Sequence, residues 1–181
     1  MLETARLRML PWVKGDEPLL APLATDPTVM LHINGGIPWT EAEVTAAVER
    51  QVKAFHERGF CRWRLERKDT GETIGFCGPG ILGTFEEPEV GWWLAPAHWG
   101  FGFATEAGRA AVADAFTRCG LERLISVTVR ENVRSLRVMA RLGFRFEREA
   151  VHGGRPHMVH TLTHDEWRVY TLLRPPDPTN F

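Results

Sequence analysis

Residues 99–104 read Trp-Gly-Phe-Gly-Phe-Ala, between a strand-like run at residues 89–94 and an alanine-rich helical pattern that begins at Thr105. Gly100 and Gly102 allow backbone conformations that other residues avoid, so successive N–H groups can turn toward one anion at the positive end of the helix. The pattern predicts a phosphate-binding loop, called the glycine loop below (residues 99–105). A strand-to-helix turn without a ligand is the alternative.

Two other phosphate-binding patterns fit this segment less well. A Walker loop needs Gly-Lys-Ser or Gly-Lys-Thr after its glycines, and neither follows here. A dinucleotide-binding fingerprint needs a third small residue where Thr105 stands, within an early βαβ unit. Both nucleotide-binding classes are therefore disfavoured.

A second block of the sequence carries polar residues at the start of a helix. Residues 124–129 read as a strand, and Asn132 and Ser135 follow three positions apart, so both can face one side of a helical turn. Gly143 suits the left-handed residue that ends such a helix. The block predicts two ligand-facing polar side chains, with Asn132 as a simple helix cap as the alternative.

Together, the glycine loop and this second block resemble the GNAT superfamily of acetyl-CoA-dependent N-acetyltransferases, most closely its RimJ/RimL-like branch. Residues 3–8, 69–76 and 165–167 are also similar to that branch, so the resemblance extends over residues 1–174. It implies an α+β fold with a mixed, mostly antiparallel twisted sheet, flanked by helices, whose central strands splay apart. It also implies acetyl-CoA as cosubstrate, with no metal.

The resemblance assigns the cosubstrate to the gap between the splayed strands. The pantetheine arm would pair with exposed backbone as an added strand, and the glycine loop would bind the diphosphate. Trp99 and Phe101 depart from the family pattern, because Gln or Arg is usual at the first position and this branch has Lys or Arg at the second. Phe103 is expected to pack in the interior. The residues expected to contact acetyl-CoA are Trp93, Leu94, Trp99, Gly100, Phe101, Gly102, Phe103, Ala104, Thr105, Asn132 and Ser135.

The resemblance also implies three catalytic roles. Glu89 is the candidate base for the amine proton, with a solvated strand-end carboxylate as the alternative. The Leu94 N–H would polarise the thioester carbonyl. Ser135 or water would protonate the thiolate, because Met139 stands where many members have tyrosine and methionine has no proton to donate. The thiolate leaving without an acid is the other alternative.

The chain has seven tryptophans and a single tyrosine. This composition suggests an aromatic acceptor cleft. The resemblance implies that Trp39 lies on the loop that frames this cleft and that Glu89 lies beside it, and Trp39, Glu89 and Trp92 are expected to bind the acceptor amine. Core packing explains most of the tryptophans equally well, so one or two are expected to touch the substrate.

Composition and charge narrow the class of protein. The chain of 181 residues has the size and composition of one globular domain, predicted at residues 1–174 and followed by a flexible proline-rich tail at residues 175–181. The net charge of −1 gives no footprint for nucleic acid or a membrane surface. No apolar run approaches a membrane span or a signal-peptide core, so the expected location is the cytoplasm. Monomer and homodimer are both left open.

The cysteines and histidines predict no metal or redox site. Three widely spaced cysteines form no Cys-x-x-Cys pair, so buried free thiols are expected. His157 and His160 would lie on opposite faces of a strand. Surface histidines on a polar strand are the preferred interpretation, and a metal site is the alternative.

The remaining patterns predict the order of the elements. Alternation at residues 2–9 predicts a first strand, and Thr40 with Glu43 three positions later predicts a capping box for a helix that ends near Gly59. Further strands are predicted at residues 60–66 and 73–77, with a break at the Gly-Pro-Gly of residues 78–80, and near residues 144–147 and 157–162.

The resemblance implies an enzyme that transfers acetyl from acetyl-CoA directly to a primary amine in a ternary complex. The acceptor favoured by the resemblance is the N-terminal α-amine of a protein or peptide, and a small amine, antibiotic or amino acid is the alternative. At pH 7 an α-amine costs about 1 kcal/mol to deprotonate and a lysine-like amine about 4.6 kcal/mol, so an α-amine needs less from the base. A CoA-binding sensor or interaction module without chemistry is the further alternative.

Overall fold

The computed structural model describes residues 1–33 and 35–173, so the tail expected at residues 175–181 lies outside the described residues. The strands are β1 (Leu2–Glu3), β2 (Leu7–Leu10), β3 (Trp63–Arg67), β4 (Thr73–Gly80), β5 (Glu89–Leu94), β6 (Arg123–Thr128), β7 (Arg145–His152) and β8 (Arg155–Thr163). The helices are α1 (Glu17–Ala24), α2 (Pro27–Met30), α3 (Glu41–Arg58), α4 (Phe103–Thr117), α5 (Val133–Leu142) and α6 (His164–Leu173).

The strands of the described chain form one sheet in the order β1-β2-β3-β4-β5-β6-β8-β7. Only β5 and β6 pair in parallel, and the other neighbours are antiparallel. Helices α1 to α3 bury one apolar cluster with Phe76 of β4, and α4 and α5 bury another with Val90 and Leu124. The predicted α+β fold, with a mixed and mostly antiparallel sheet flanked by helices, is confirmed. No helix in the described ranges has the length and apolar character to cross a bilayer.

Local signals placed α3 as predicted. The Thr40 hydroxyl accepts the Glu43 N–H at 3.3 Å, and the Glu43 carboxylate accepts the Thr40 N–H at 2.7 Å, which completes the capping box. The helix ends at Gly59, whose φ of +72° is left-handed. By contrast, α4 begins at Phe103, two residues before the predicted start, and runs to Thr117.

The single strand predicted at residues 2–9 is wrong, because the chain reverses between β1 and β2. Thr4 makes the turn: its N–H donates to the Leu7 carbonyl at 2.9 Å, and its hydroxyl accepts the Leu7 N–H at 3.0 Å. Leu2 then lies opposite Met9. The reversal brings Arg6 close to the start of α4.

The break predicted at residues 78–80 is also wrong, since β4 continues to Gly80. Pro79 lies opposite Val90, and the Val90 carbonyl is bonded on the β6 side, so the missing proline N–H is not needed there. A β-carbon at Gly78 would lie 2.5 Å from the Cys61 carbonyl oxygen. Glycine therefore lets the chain that leads into β3 lie closely against β4.

Candidate active site

Strands β5 and β6 pair only where β5 begins, so the centre of the sheet opens into a gap. Within the described residues their register holds one pair, Glu89 opposite Ile125, and the Ile125 N–H donates to the Pro88 carbonyl at 3.0 Å. Next to this pair, the Ser126 hydroxyl donates to the Val90 carbonyl at 2.8 Å in place of a backbone donor. The expected splay of the central strands is therefore present.

The edge of β5 along this gap carries unpaired backbone groups. The backbone N–H groups of Gly91 and Trp93 point toward β4. Because alternate residues of a strand point their N–H groups to opposite sides, those of Trp92 and Leu94 point into the gap. In the described chain, no β6 residue is registered opposite them. The Leu94 carbonyl accepts the Trp99 indole N–H at 2.8 Å, whereas the Leu94 N–H faces the opening. An extended amide chain can pair with this edge as an added strand.

The glycine loop follows β5 and leads into α4. Gly100 and Gly102 have φ values of +87° and +84°, where a β-carbon is disfavoured. Gly102 is the N-cap of α4 and has no side chain to accept first-turn N–H groups, and the Glu106 N–H makes the first helical bond to its carbonyl at 3.0 Å. The N–H groups of residues 103–105 are therefore available to an anion.

Residues far apart in the sequence hold the glycine loop in place. The buried Glu106 carboxylate accepts the Thr4 hydroxyl at 2.5 Å, the Arg6 N–H at 2.9 Å and the Arg6 Nε–H at 2.7 Å. Arg6 also donates from Nη1 to the Phe101 carbonyl at 3.0 Å, and its guanidinium lies 4.4 Å from the Phe103 ring centroid. This network fastens the loop to the turn between β1 and β2.

The two phenylalanines of the glycine loop have different surroundings. Phe103 is 6% exposed and packs in the core, in agreement with the interior position expected for it. Phe101 is 63% exposed at the loop surface. The loop therefore offers backbone donors to an anion but no cationic side chain of its own.

The start of α5 faces the same opening. The Asn132 side-chain oxygen accepts the Ser135 N–H at 3.2 Å, so Asn132 does cap the helix, and both residues line the cavity. The cap uses the oxygen of Asn132 and leaves its NH₂ group as a donor. Met139 is fully buried in the core between α4, α5 and the sheet, and contributes no polar atom to the opening.

Glu89 is 4% exposed, which excludes a solvated strand-end carboxylate. Its Oε2 accepts Nη2–H of Arg62 at 2.5 Å. A β-carbon at Gly91 would lie 2.9 Å from Glu89 Oε2, and one at Gly80 would lie 3.0 Å from Arg62 Nε. The ion pair thus lies against the face of the sheet, and the two glycines provide the room for it.

Burial raises the pKa of Glu89 above its usual value, although the Arg62 charge, its hydrogen bond and the Val127 N–H oppose the rise. A raised pKa makes a carboxylate a better proton acceptor at neutral pH. Burial therefore favours the protonated form of Glu89, whereas pairing with Arg62 favours the ionised form.

The two tryptophans of β5 lie on opposite faces of the sheet. The Trp93 ring is 5.0 Å from the Trp39 ring and 5.0 Å from the Phe76 ring, on the face that carries Glu89. Trp92 packs against the core clusters that include α4. Trp92, expected at the acceptor, thus faces the α4 side, and Trp93, expected at the cosubstrate, faces Trp39. Alternation along the strand dictates this arrangement once Glu89 is placed.

The expectation of surface histidines is wrong, since His157 and His160 are 7% and 9% exposed. The His157 ring lies 5.4 Å from that of His152, which shares a hydrogen bond of 2.8 Å with the Thr84 hydroxyl. Burial, the neighbouring His157 and the Arg62 charge lower the pKa of His152. In the part of the chain that the structure describes, no three His, Cys, Asp or Glu side chains cluster in a metal-binding arrangement.

One continuous cavity of about 1400 Å³ joins these features. Its walls include the glycine loop, the start of α5 and the open edge of β5 on one side, and Arg62, Glu89 and Trp39 on the other. A ligand along β5 and a second molecule beside Glu89 can therefore occupy the same space.

Sequence reasoning missed Arg62 and the contact of Arg6 with Glu106. Arg62 carried only a weak signal, because residues 62–66 alternate charged and apolar side chains as on the exposed face of a strand, although Arg62 itself directly follows the apolar residues 60–61. A charged side chain in such a run needs a partner when it is buried. The identity of that partner, Glu89, requires the tertiary structure.

Comparison with known proteins defines the class. The family model described as an acetyltransferase (GNAT) domain matches residues 6–145. The uncharacterized N-acetyltransferase YoaA of Bacillus subtilis strain 168 is 33% identical over 134 residues, which cover 74% of this chain and 73% of that protein. The chain therefore belongs to the GNAT family, and it is an N-acetyltransferase.

Solved structures agree with this assignment. The acetyltransferase from Agrobacterium tumefaciens strain C58 matches with a TM-score of 0.80 and 26% identity, covering 90% of this chain and 94% of that one. The ribosomal-protein-S5-alanine acetyltransferase from Vibrio fischeri shares the fold at a TM-score of 0.66 and 18% identity, covering 92% of this chain and 97% of that one.

Proposed function

We propose that this enzyme transfers the acetyl group of acetyl-CoA to a primary amine by direct attack in a ternary complex. The observation that carries the proposal is the gap between β5 and β6 beside a helix whose first-turn N–H groups have no capping side chain. Backbone donors suit a diphosphate and the open strand edge suits the amides of pantetheine, so the residues present fit CoA.

The cosubstrate roles follow from this geometry. Residues 99–105 bind the diphosphate, while Asn132 and Ser135 orient the pantetheine arm. The Leu94 N–H faces the gap and polarises the thioester carbonyl, a contribution worth about 2.7–4 kcal/mol for single oxyanion donors in other enzymes. Ser135 or water protonates the departing thiolate, since the buried Met139 cannot.

Glu89 takes the proton of the attacking amine. It lies in the cavity on the face that carries Trp39 and Trp93, and burial raises the pKa of its carboxyl group. Arg62 holds Oε2 and keeps the carboxylate oriented. The aromatic rings of Trp39 and Trp93 form a wall for the acceptor on this side.

We further propose that the chain is a single domain over residues 1–174 and that it belongs to the RimJ/RimL-like branch. The acceptor proposed is the N-terminal α-amine of a protein or peptide. Two arguments support this. An α-amine needs only a weak base at neutral pH, and the fold is shared with a ribosomal-protein-S5-alanine acetyltransferase. The open cavity of about 1400 Å³ has room for a peptide end.

Acetyl-CoA turnover with a panel of peptides and small amines, followed by thiol release, tests the proposal. Faster turnover of free peptide N-termini than of Nα-blocked, lysine-containing peptides and small amines is expected. Preference for a small amine would overturn the acceptor assignment. Binding of CoA in calorimetry without turnover of any acceptor would instead identify a CoA-binding sensor.

The role of Glu89 is tested with Glu89→Gln against Glu86→Gln, which alters an exposed carboxylate on the preceding loop. Loss of a positioned base costs about 10²- to 10⁴-fold in rate. We expect that loss in kcat for Glu89→Gln and none for Glu86→Gln. Equal turnover of both variants from pH 6 to 9 would remove Glu89 from the mechanism.

A further inference from the structure

Helix α5 presents a row of arginines to the cavity. Arg134, Arg137 and Arg141 follow one another at i, i+3 and i+7, so they share a helix face, and all three line the cavity together with the glycine loop. The helix contains no acidic residue to offset them. Glu131, directly before the N-cap Asn132, also lines the cavity, so the three arginines leave this wall with a net positive charge.

These arginines differ from others in the described chain. Arg6, Arg62 and Arg118 each contact a carboxylate at 2.5 to 2.6 Å. Among the residues that the structure describes, none of the three α5 arginines has a carboxylate within salt-bridge distance. Their positive charge is thus left for a ligand.

Arg134 reaches from the start of α5 to the first residue of the glycine loop, Trp99. Its guanidinium carbon lies 4.7 Å from the Trp99 ring centroid. The Trp99 ring is held by its N–H bond of 2.8 Å to the Leu94 carbonyl and packs against two core clusters, so it is a fixed platform. Because Trp99 directly precedes Gly100, a guanidinium stacked on the Trp99 ring lies beside the glycine loop.

The glycine loop needs such a charge. Phe101 stands where a cation is usual in the resembled branch, and it is 63% exposed with no group to offer a phosphate. Backbone N–H groups and the helix dipole supply partial charges only. A diphosphate bound by the loop alone would keep most of its negative charge uncompensated.

We propose that Arg134 supplies the cation for the diphosphate, resting on Trp99 in the free enzyme and bonding to the phosphate oxygens when CoA binds. The proposal rests on the proposed function. The stack on the partly buried Trp99 ring is weaker than a charge-assisted, two-pronged bond from guanidinium to phosphate, so the exchange is favourable. Trp99 and Phe101, the two departures from the family pattern, then have one explanation: the cation comes from α5 instead of the loop.

Calorimetric titration of CoA and of 3′-dephospho-CoA tests the assignment in Arg134→Gln, Arg134→Lys and Arg168→Gln. Arg168 is exposed on α6, outside the cavity lining, and controls for net charge. We expect Arg134→Gln to weaken both ligands by about 10- to 100-fold. Arg134→Lys should recover part of the loss, because charge returns without the two-pronged geometry. Arg168→Gln should bind both ligands like the wild type.

Each outcome decides the question. Unchanged affinity in Arg134→Gln overturns the proposal, and a loss confined to CoA overturns it in favour of the 3′-phosphate. A wild type that binds neither ligand refutes the proposed function instead. Arg134 is exposed, so the thermal midpoint of Arg134→Gln should match that of Arg168→Gln. If the two midpoints differ, the test uses Arg134→Lys instead. In that case, an Arg134→Lys variant that binds CoA no more tightly than Arg134→Gln overturns the argument that the charge at this position binds the diphosphate.

Discussion

Replacing Arg62 by methionine leaves Glu89 as a buried carboxylate without its cationic partner. The two groups meet at 2.5 Å, and only 17% of the Arg62 side chain and 6% of the Glu89 side chain are exposed, so most of the carboxylate stays shielded from water when the contact is lost. Removing one partner of a buried ion pair costs about 3–5 kcal/mol. We expect the free energy of unfolding at pH 8, measured by urea denaturation, to fall by about this amount.

The loss should depend on pH, with a sign set by the pKa of Glu89. Burial already raises this pKa above the unfolded value of about 4.3, and loss of Arg62 raises it further, because the guanidinium charge opposes the rise. Between the two pKa values the folded state binds more protons than the unfolded state. The stabilising contribution of the proton is complete below the unfolded pKa and disappears as pH rises through the folded pKa. Arg62→Met should therefore lose less stability at pH 5.5 than at pH 8.

Two further variants make this prediction sharp. Arg62→Met combined with Glu89→Gln contains neither charge and should recover most of the lost stability. Arg168→Met removes an exposed charge and should change the free energy of unfolding by less than about 0.5 kcal/mol at either pH. If Arg62→Met behaves like Arg168→Met at both pH values, Arg62 does not compensate a buried charge and the reasoning is refuted.

Three other substitutions test the site. Gly91→Ala places a β-carbon 2.9 Å from Glu89 Oε2, so kcat should fall about 10- to 100-fold in the folded enzyme, and unchanged kcat would contradict the role of Glu89. Gly102→Ala forces a side chain to φ +84°, at about 1–2 kcal/mol, and calorimetry should detect weaker CoA binding; retained affinity would count against the glycine loop. Glu106→Gln weakens the contact with Arg6 and should raise KM for acetyl-CoA with little effect on kcat. A fall in kcat as large as the fall in kcat/KM would argue against a positioning role.

Several parts of this fold were predictable because their signals are local. The Thr40 and Glu43 capping box and the left-handed Gly59 and Gly143 place helix ends within a few residues. The first strand was mispredicted because a regular alternation of side chains does not reveal the Thr4 turn inside it. The Gly-Pro-Gly of residues 78–80 was mispredicted because these residues usually break a strand. Here Pro79 lies opposite Val90, where no proline N–H is needed, and Gly78 lies close to the Cys61 carbonyl, where a side chain would not fit.

The sequence by itself determined the two glycines of the loop and their place between a strand and a helix, since backbone freedom and helix polarity are properties of a few adjacent residues. Only the tertiary structure decided which charges meet. Arg62 and Glu89 are 27 positions apart, and Arg6 and Glu106 are 100 positions apart. A buried charge is compensated by whichever group the packed chain brings beside it, and sheet order and strand register decide that proximity.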